Sequence, residues 1–182
     1  MHEVSLNRVI TDYLTGQEIT ETTYEDLRQA LAKLLVEDRK YPRENIRSKY
    51  ILDYAINGEL HSVTLDLAIF SPEGDPLLAL VFCPGEVGTF VRESVAAARI
   101  HLSSPFPLVI VTDSMDLQLV ETRTAEVIGT GFNAVPRWDD LPALAQSHPC
   151  PMPGEDRLDK ERRILAAYDG LGGPCCGGEC SI

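Results

Sequence analysis

The stretch HSVTLDLAIFSPEGDPLLALVFCPGEV, residues 61–87, constrains the fold more than any other part of the chain. Val63, Leu65, Leu67 and Ile69 alternate, which predicts a strand with one apolar face, and LLALVFC is a nearly unbroken apolar run, which predicts a buried strand. The turn SPEGDP joins the two. One acid, Asp66, interrupts this apolar surface. Burying a carboxylate there costs several kcal/mol unless a metal, a basic partner or water reaches it.

The flanking segments supply the other layers. TTYEDLRQALAKLLVED places Tyr24, Leu27, Leu31, Leu34 and Leu35 on one helical face, and Thr22 with Glu25 has the spacing of a capping box. Tyr41 and Pro42 stop this helix. Ile46, Ser48, Tyr50, Leu52, Tyr54 and Ile56 share one face of a strand, Asn57-Gly58 predicts a tight hairpin, and residues 60–70 return antiparallel. After Gly85 the spacing predicts a helix with Val91, Val95, Ala98 and Leu102 turned inward, then the strand PLVIVTD and a short strand around LQLVE. The order is helix, three strands, helix, strand, strand, an α/β arrangement. The segmentation reads as an α/β domain at 1–145, a Pro-rich linker at 146–156, a helix at 157–169 with a stripe of Leu158, Leu165 and Tyr168, and a Gly/Cys-rich tail at 170–182.

Charge narrows the class of ligand. The 182 residues carry a net charge of −12, and residues 61–150 hold eleven acids against four bases. A surface that tracks phosphates has the opposite bias, so direct nucleic-acid binding is expected to be weak or indirect. The one basic concentration, Arg39, Lys40, Arg43, Arg47 and Lys49, reads as a solvated helix end and strand edge. No stretch reaches the ~20 apolar residues of a membrane span, and MHEVSLNRVI lacks the basic-then-apolar order of a signal peptide, so the expected location is cytoplasmic, with no membrane partner. Five cysteines, an odd number, suit a reducing compartment better than a disulfide framework.

The element order, with an acid in the second hairpin strand and an apolar third strand, resembles the PD-(D/E)xK nuclease fold. It is most similar to the N-terminal nuclease domain of the restriction subunit of type I restriction enzymes, over residues 10–145, through DYLTGQEIT, LRQALAKLLVEDRKYPRENI, LDLAIFSPEGDPLLALVFC and AARIHLSSPFPLVIVTDSMDLQLVET. The resemblance implies a restriction-endonuclease core in which an Asp on the second strand, a Glu-x-Lys on the third and a Glu on the first helix converge. Two such carboxylates hold Mg²⁺, and the Lys orients the attacking water and stabilises charge at the phosphate. Asp66 matches the family Asp and Glu25 the helix Glu. The third-strand motif aligns with Phe82, Cys83 and Pro84, so the Glu position holds an aromatic ring and the Lys position a proline. Neither side chain can hold Mg²⁺ or donate a proton.

Each residue also has a plainer reading. Glu25 caps its helix, Asp66 meets water or an arginine, Cys83 is a core residue and Pro84 ends its strand. A migrated active site would draw on Glu86, Arg92, Glu93 or Arg99, although Ala96 stands where the family commonly carries Gln. In the tail, Cys175, Cys176 and Cys180 are spaced to bind Zn²⁺ with Cys150, His148 or Glu179, or else form a flexible tail with reactive thiols. His2, His61 and His101 are isolated and take no role. The resulting expectation is a degenerate family member that serves as a binding or assembly module with a protein partner or as a homo-oligomer. The alternatives are an active Mg²⁺-dependent DNA endonuclease with a migrated site, and a metal- or redox-responsive protein acting through its cysteines.

Overall fold

The two long hairpin strands do not keep one face from end to end. The computed structural model, which describes residues 5–171 with side chains through Tyr168, places β3 at Ile46–Ile56 and β4 at Glu59–Phe70, paired antiparallel around Asn57 and Gly58. Both turn residues have positive φ, +52° and +85°, as a two-residue hairpin turn requires. Tyr50, Leu52, Tyr54, Val63 and Leu65 pack in one core cluster, but Ile46, Leu67 and Ile69 pack in the other. The expected single faces, Ile46 to Ile56 and Val63 to Ile69, are therefore each split. The switch falls at Asp66 and at Lys49, which adopts φ +49° between the Ser48–Leu67 and Tyr50–Leu65 pairs. Left-handed backbone costs a lysine roughly 1–2 kcal/mol.

Four further strands complete a six-stranded sheet in the order β3-β4-β5-β6-β7-β8: β5 at Pro76–Phe82, β6 at Leu108–Thr112, β7 at Leu117–Glu121 and β8 at Val127–Thr130. The β5–β6 pair is parallel and every other pair antiparallel. Helix α1, Glu25–Lys33, runs into a π-helical turn at Leu34–Asp38 and packs Leu31 and Leu35 with Tyr41 and α3, Leu141–Ser147, on one sheet face. The opposite face carries α2, Val87–Arg99, and α4, Glu155–Leu171. Helices on both faces explain why LLALVFC is apolar throughout: Leu78 and Leu80 enter one cluster, and Ala79, Val81 and Cys83 the other.

Several local expectations change. Tyr24, rather than Thr22, occupies the N-cap position of α1, and the Glu25 side chain is buried in the protein. Helix α2 ends at Arg99, leaving Leu102 84% exposed rather than inward. Two strands precede α1, β1 at Ser5–Thr11 and β2 at Glu18–Thr22, and form a separate antiparallel hairpin. Strand β8 was also unforeseen. Its Gly129 admits the next turn closely, since a Cβ there would lie 2.8 Å from that of Ala134. Among the described residues no helix is long and apolar enough to cross a membrane.

Candidate functional site

The acid on β4 has a basic partner. Arg28, one turn after Glu25 on α1, donates from Nη2 and Nε to Asp66 Oδ1 at 2.9 and 3.2 Å. Its Nη1 donates to Glu25 Oε2 at 2.6 Å. One guanidinium thus bridges the two carboxylates. The Asp66 Oδ2 atom accepts the Phe82 N–H at 2.8 Å. Glu25 Oε2 also meets the Lys49 ammonium at 2.7 Å, and Oε1 accepts from Gln29 Nε2 at 3.0 Å. The left-handed kink at Lys49 sits at the residue whose ammonium makes this contact. Side-chain exposure falls from 41% at Lys49 and 15% at Asp66 to 3% at Arg28 and 1% at Glu25, so the bridge lies in a poorly solvated interior where charge pairing is strong.

Hydrogen bonds extend this network into the loop after β1. Gln29 Nε2 also donates to Asp12 Oδ2 at 3.0 Å, and its Oε1 accepts the Tyr13 N–H at 2.7 Å. Asp12 Oδ1 accepts from the Leu14 and Thr15 N–H groups and the Thr15 hydroxyl. Burial works to raise the Asp12 pKa, but the bonds from Gln29, Thr15 and Leu14 outweigh it and hold the carboxyl below its ordinary value.

These donors decide whether the residues suit Mg²⁺. Both Asp66 oxygens and both Glu25 oxygens already accept hydrogen bonds, and the space between the carboxylates is taken by a guanidinium. Among the described residues no group of three His, Cys, Asp or Glu side chains is arranged to hold a metal. The site as folded does not fit the ion. Phe82 contributes its N–H, while its ring lies 5.2 Å from that of Tyr24, and Pro84 is exposed at the rim. Cys83 is fully buried, and burial pushes its thiol up to about 11.

Asp66, Arg28 and Lys49 open onto a cleft of about 840 Å³ between the β3–β5 strands, α2 and α4, with Tyr54, Phe90 and Tyr168 on its apolar walls, while Glu25 stays buried behind them. Of the candidates for a migrated site only Glu93 lines this cleft. Glu86 is the exposed residue ahead of α2, Arg92 faces another hollow and Ala96 is buried. Arg99 is buried elsewhere, donating to the Thr122 and Arg123 carbonyls at 3.0 and 2.9 Å and to Glu161 at 2.7 Å. His148 lies 3.7 Å from Glu121, and burial pushes the half-buried Cys150 thiol up. Cys175, Cys176, Cys180 and Glu179 lie outside the described residues, as does His2. His61 stacks on Tyr54, and His101 bonds the Ser104 carbonyl and the Tyr50 hydroxyl.

Arg28, Gln29, Asp12 and Lys49 went unnoticed in the sequence as site residues. The i,i+3 spacing of Glu25 and Arg28 was the available signal. The basic stretch also proves more engaged than a solvated edge: Arg39 donates to the Phe132 carbonyl, and Arg43 and Arg47 lie over the Tyr13 and Phe70 rings.

Residues 23–136 match the sequence model of the type I restriction enzyme R protein N terminus (HSDR_N). The chain belongs to this family. The matched span holds Glu25, Arg28, Lys49, Asp66, Phe82 and Pro84, so the R protein N-terminal region contains the bridged carboxylates, whereas Asp12 and the α4 wall lie beyond it. No curated protein and no solved structure matches the chain.

Proposed function

We propose that this R protein N-terminal domain is a non-catalytic binding or assembly module, a restriction-endonuclease core with a degenerate PD-(D/E)xK site. One observation carries the reading: the Arg28 guanidinium spans Glu25 and Asp66, where a nuclease of this kind would place its metal. Hydrolysis of a phosphodiester uses paired carboxylates to hold a hard cation and a nearby base or ammonium to manage the water. Here the carboxylates are neutralised internally, and Phe82 and Pro84 supply neither the second ligand nor the ammonium. The network serves to hold α1 against β4, and the cleft beside it serves as a contact surface for a protein partner or a second copy. Supercoiled plasmid incubated with Mg²⁺ or Mn²⁺ is expected to stay intact. Nicking that disappears in the Asp66→Ala variant would overturn the reading.

Glu93 supports a second reading, an endonuclease with a migrated acid, because it lines the same cleft as Asp66. That reading requires Mg²⁺-dependent nicking lost in both Asp66→Ala and Glu93→Ala.

A further inference from the structure

A second hollow, of about 600 Å³, runs between α2 and α4 and is lined by a different set of side chains from the cleft. Helix α2 contributes Arg92 and Arg99, and α4 contributes Arg157, Lys160 and Arg163. The acid among its lining residues is Glu161. That carboxylate is committed, since Glu161 Oε1 accepts both Arg99 Nη1 and Arg157 Nε. Arg163 pairs with Asp159 at 2.8 Å, but among the described residues Arg92 and Lys160, both exposed, have no ion-pair partner. With Arg99 and Arg157 committed to Glu161 and Arg163 to Asp159, Arg92 and Lys160 leave the hollow a net positive concavity on a chain of net charge −12.

The geometry favours a small polyanion. Gly88, in the first turn of the thirteen-residue α2, and Arg99, its last residue, both line the hollow, so the groove runs the length of that helix. Guanidinium groups pair with phosphoryl oxygens through two parallel N–H donors, and an ammonium supplies a compact point charge. A volume of this size suits a small molecule. The net charge of −12 disfavours a long nucleic acid, whose many phosphates would extend past the groove's few cations.

We infer that the α2–α4 groove binds a compact ligand carrying two or more phosphoryl groups, with Arg92 and Lys160 as its principal side-chain contacts. This site is independent of the bridged carboxylates and of the reading given to them.

Tripolyphosphate is the probe, measured by calorimetry and thermal shift on the full chain. Saturable one-to-one binding is expected, weakened about tenfold or more in the Arg92→Ala, Lys160→Ala double variant, since charged hydrogen bonds are removed. Both residues are exposed, so the variant should unfold at the parent temperature, and circular dichroism checks this. Four results would overturn the inference: no binding, binding unchanged in the double variant, inorganic phosphate bound as tightly as tripolyphosphate, or a short DNA duplex or oligo-glutamate peptide bound more tightly through the same two residues.

Discussion

Arg28 neutralises two carboxylates that would otherwise repel each other inside the protein, and its rigid fork reaches both without leaving α1. Removing one member of a buried ionic set costs roughly 3–5 kcal/mol, because the remaining charge stays buried. Arg28→Ala is therefore expected to lose about that much stability in urea unfolding at neutral pH. Arg28→Lys, which keeps the charge but not the fork, should fall between the variant and the parent. The vacated space gives Mn²⁺ or Mg²⁺ access to Glu25 and Asp66, so either ion should raise the melting temperature of Arg28→Ala and leave the parent unmoved. An equal shift in the parent would show that the guanidinium does not hold the position. Asp12 gives a separate pH signature. Its folded pKa lies below the ordinary value of 3.8, so the unfolded chain takes up the proton first as pH falls. Its contribution is complete above that value and disappears as pH drops through the lower folded one. The stability gap between parent and Asp12→Asn should accordingly be widest near neutrality and close below pH 3.8. A gap that widens with acid would contradict the network drawn around Gln29.

Helix α4 is the element that gives the cleft its outer wall, and a buried ion pair fastens it. Arg99 is anchored by two backbone carbonyls, which leaves its third contact, Glu161, to tie α4 to α2. Glu161→Ala strands a buried guanidinium and should cost roughly 3 kcal/mol. Proteolysis should then cut first within α4, and cleavage that starts in another helix would argue that the helix is held by its apolar contacts instead. Legibility in the sequence varied by element for identifiable reasons. Strands β5 and β6 announced themselves because both faces are covered, and Asn57-Gly58 fixed the hairpin because its backbone demands those residues. The β1–β2 hairpin gave no such sign: SLNRVIT is exposed except for a half-buried Ile10, so no alternation is written into it. At the candidate site, Asp66 and Glu25 were legible only through the family resemblance. Their bridge was not legible, because Arg28 joins an acid on its own helix to one 38 residues away on β4, and sequence spacing does not show that second contact.

At the scale of the whole molecule, charge separates two kinds of polyanion. Residues 61–150 hold eleven acids against four bases, so the isolated protein should bind DNA with a Kd above the micromolar range at physiological salt. Submicromolar binding in an electrophoretic shift would refute this. The strand order has a kinetic meaning as well. Strands β3 to β5 and β6 to β8 each form antiparallel ladders between neighbours in sequence, while β5 and β6 run parallel, with Leu78 aligned to Leu108 across the α2 crossover. Two half-sheets that can zip locally therefore wait on one long-range seam, and closing that seam carries the loop-entropy cost of the whole sheet. Substitutions along the seam, such as Ile110→Val, should slow refolding, whereas those under α4 should speed unfolding, so the two arms of a chevron plot would report separately on the middle of the sheet and on its cover.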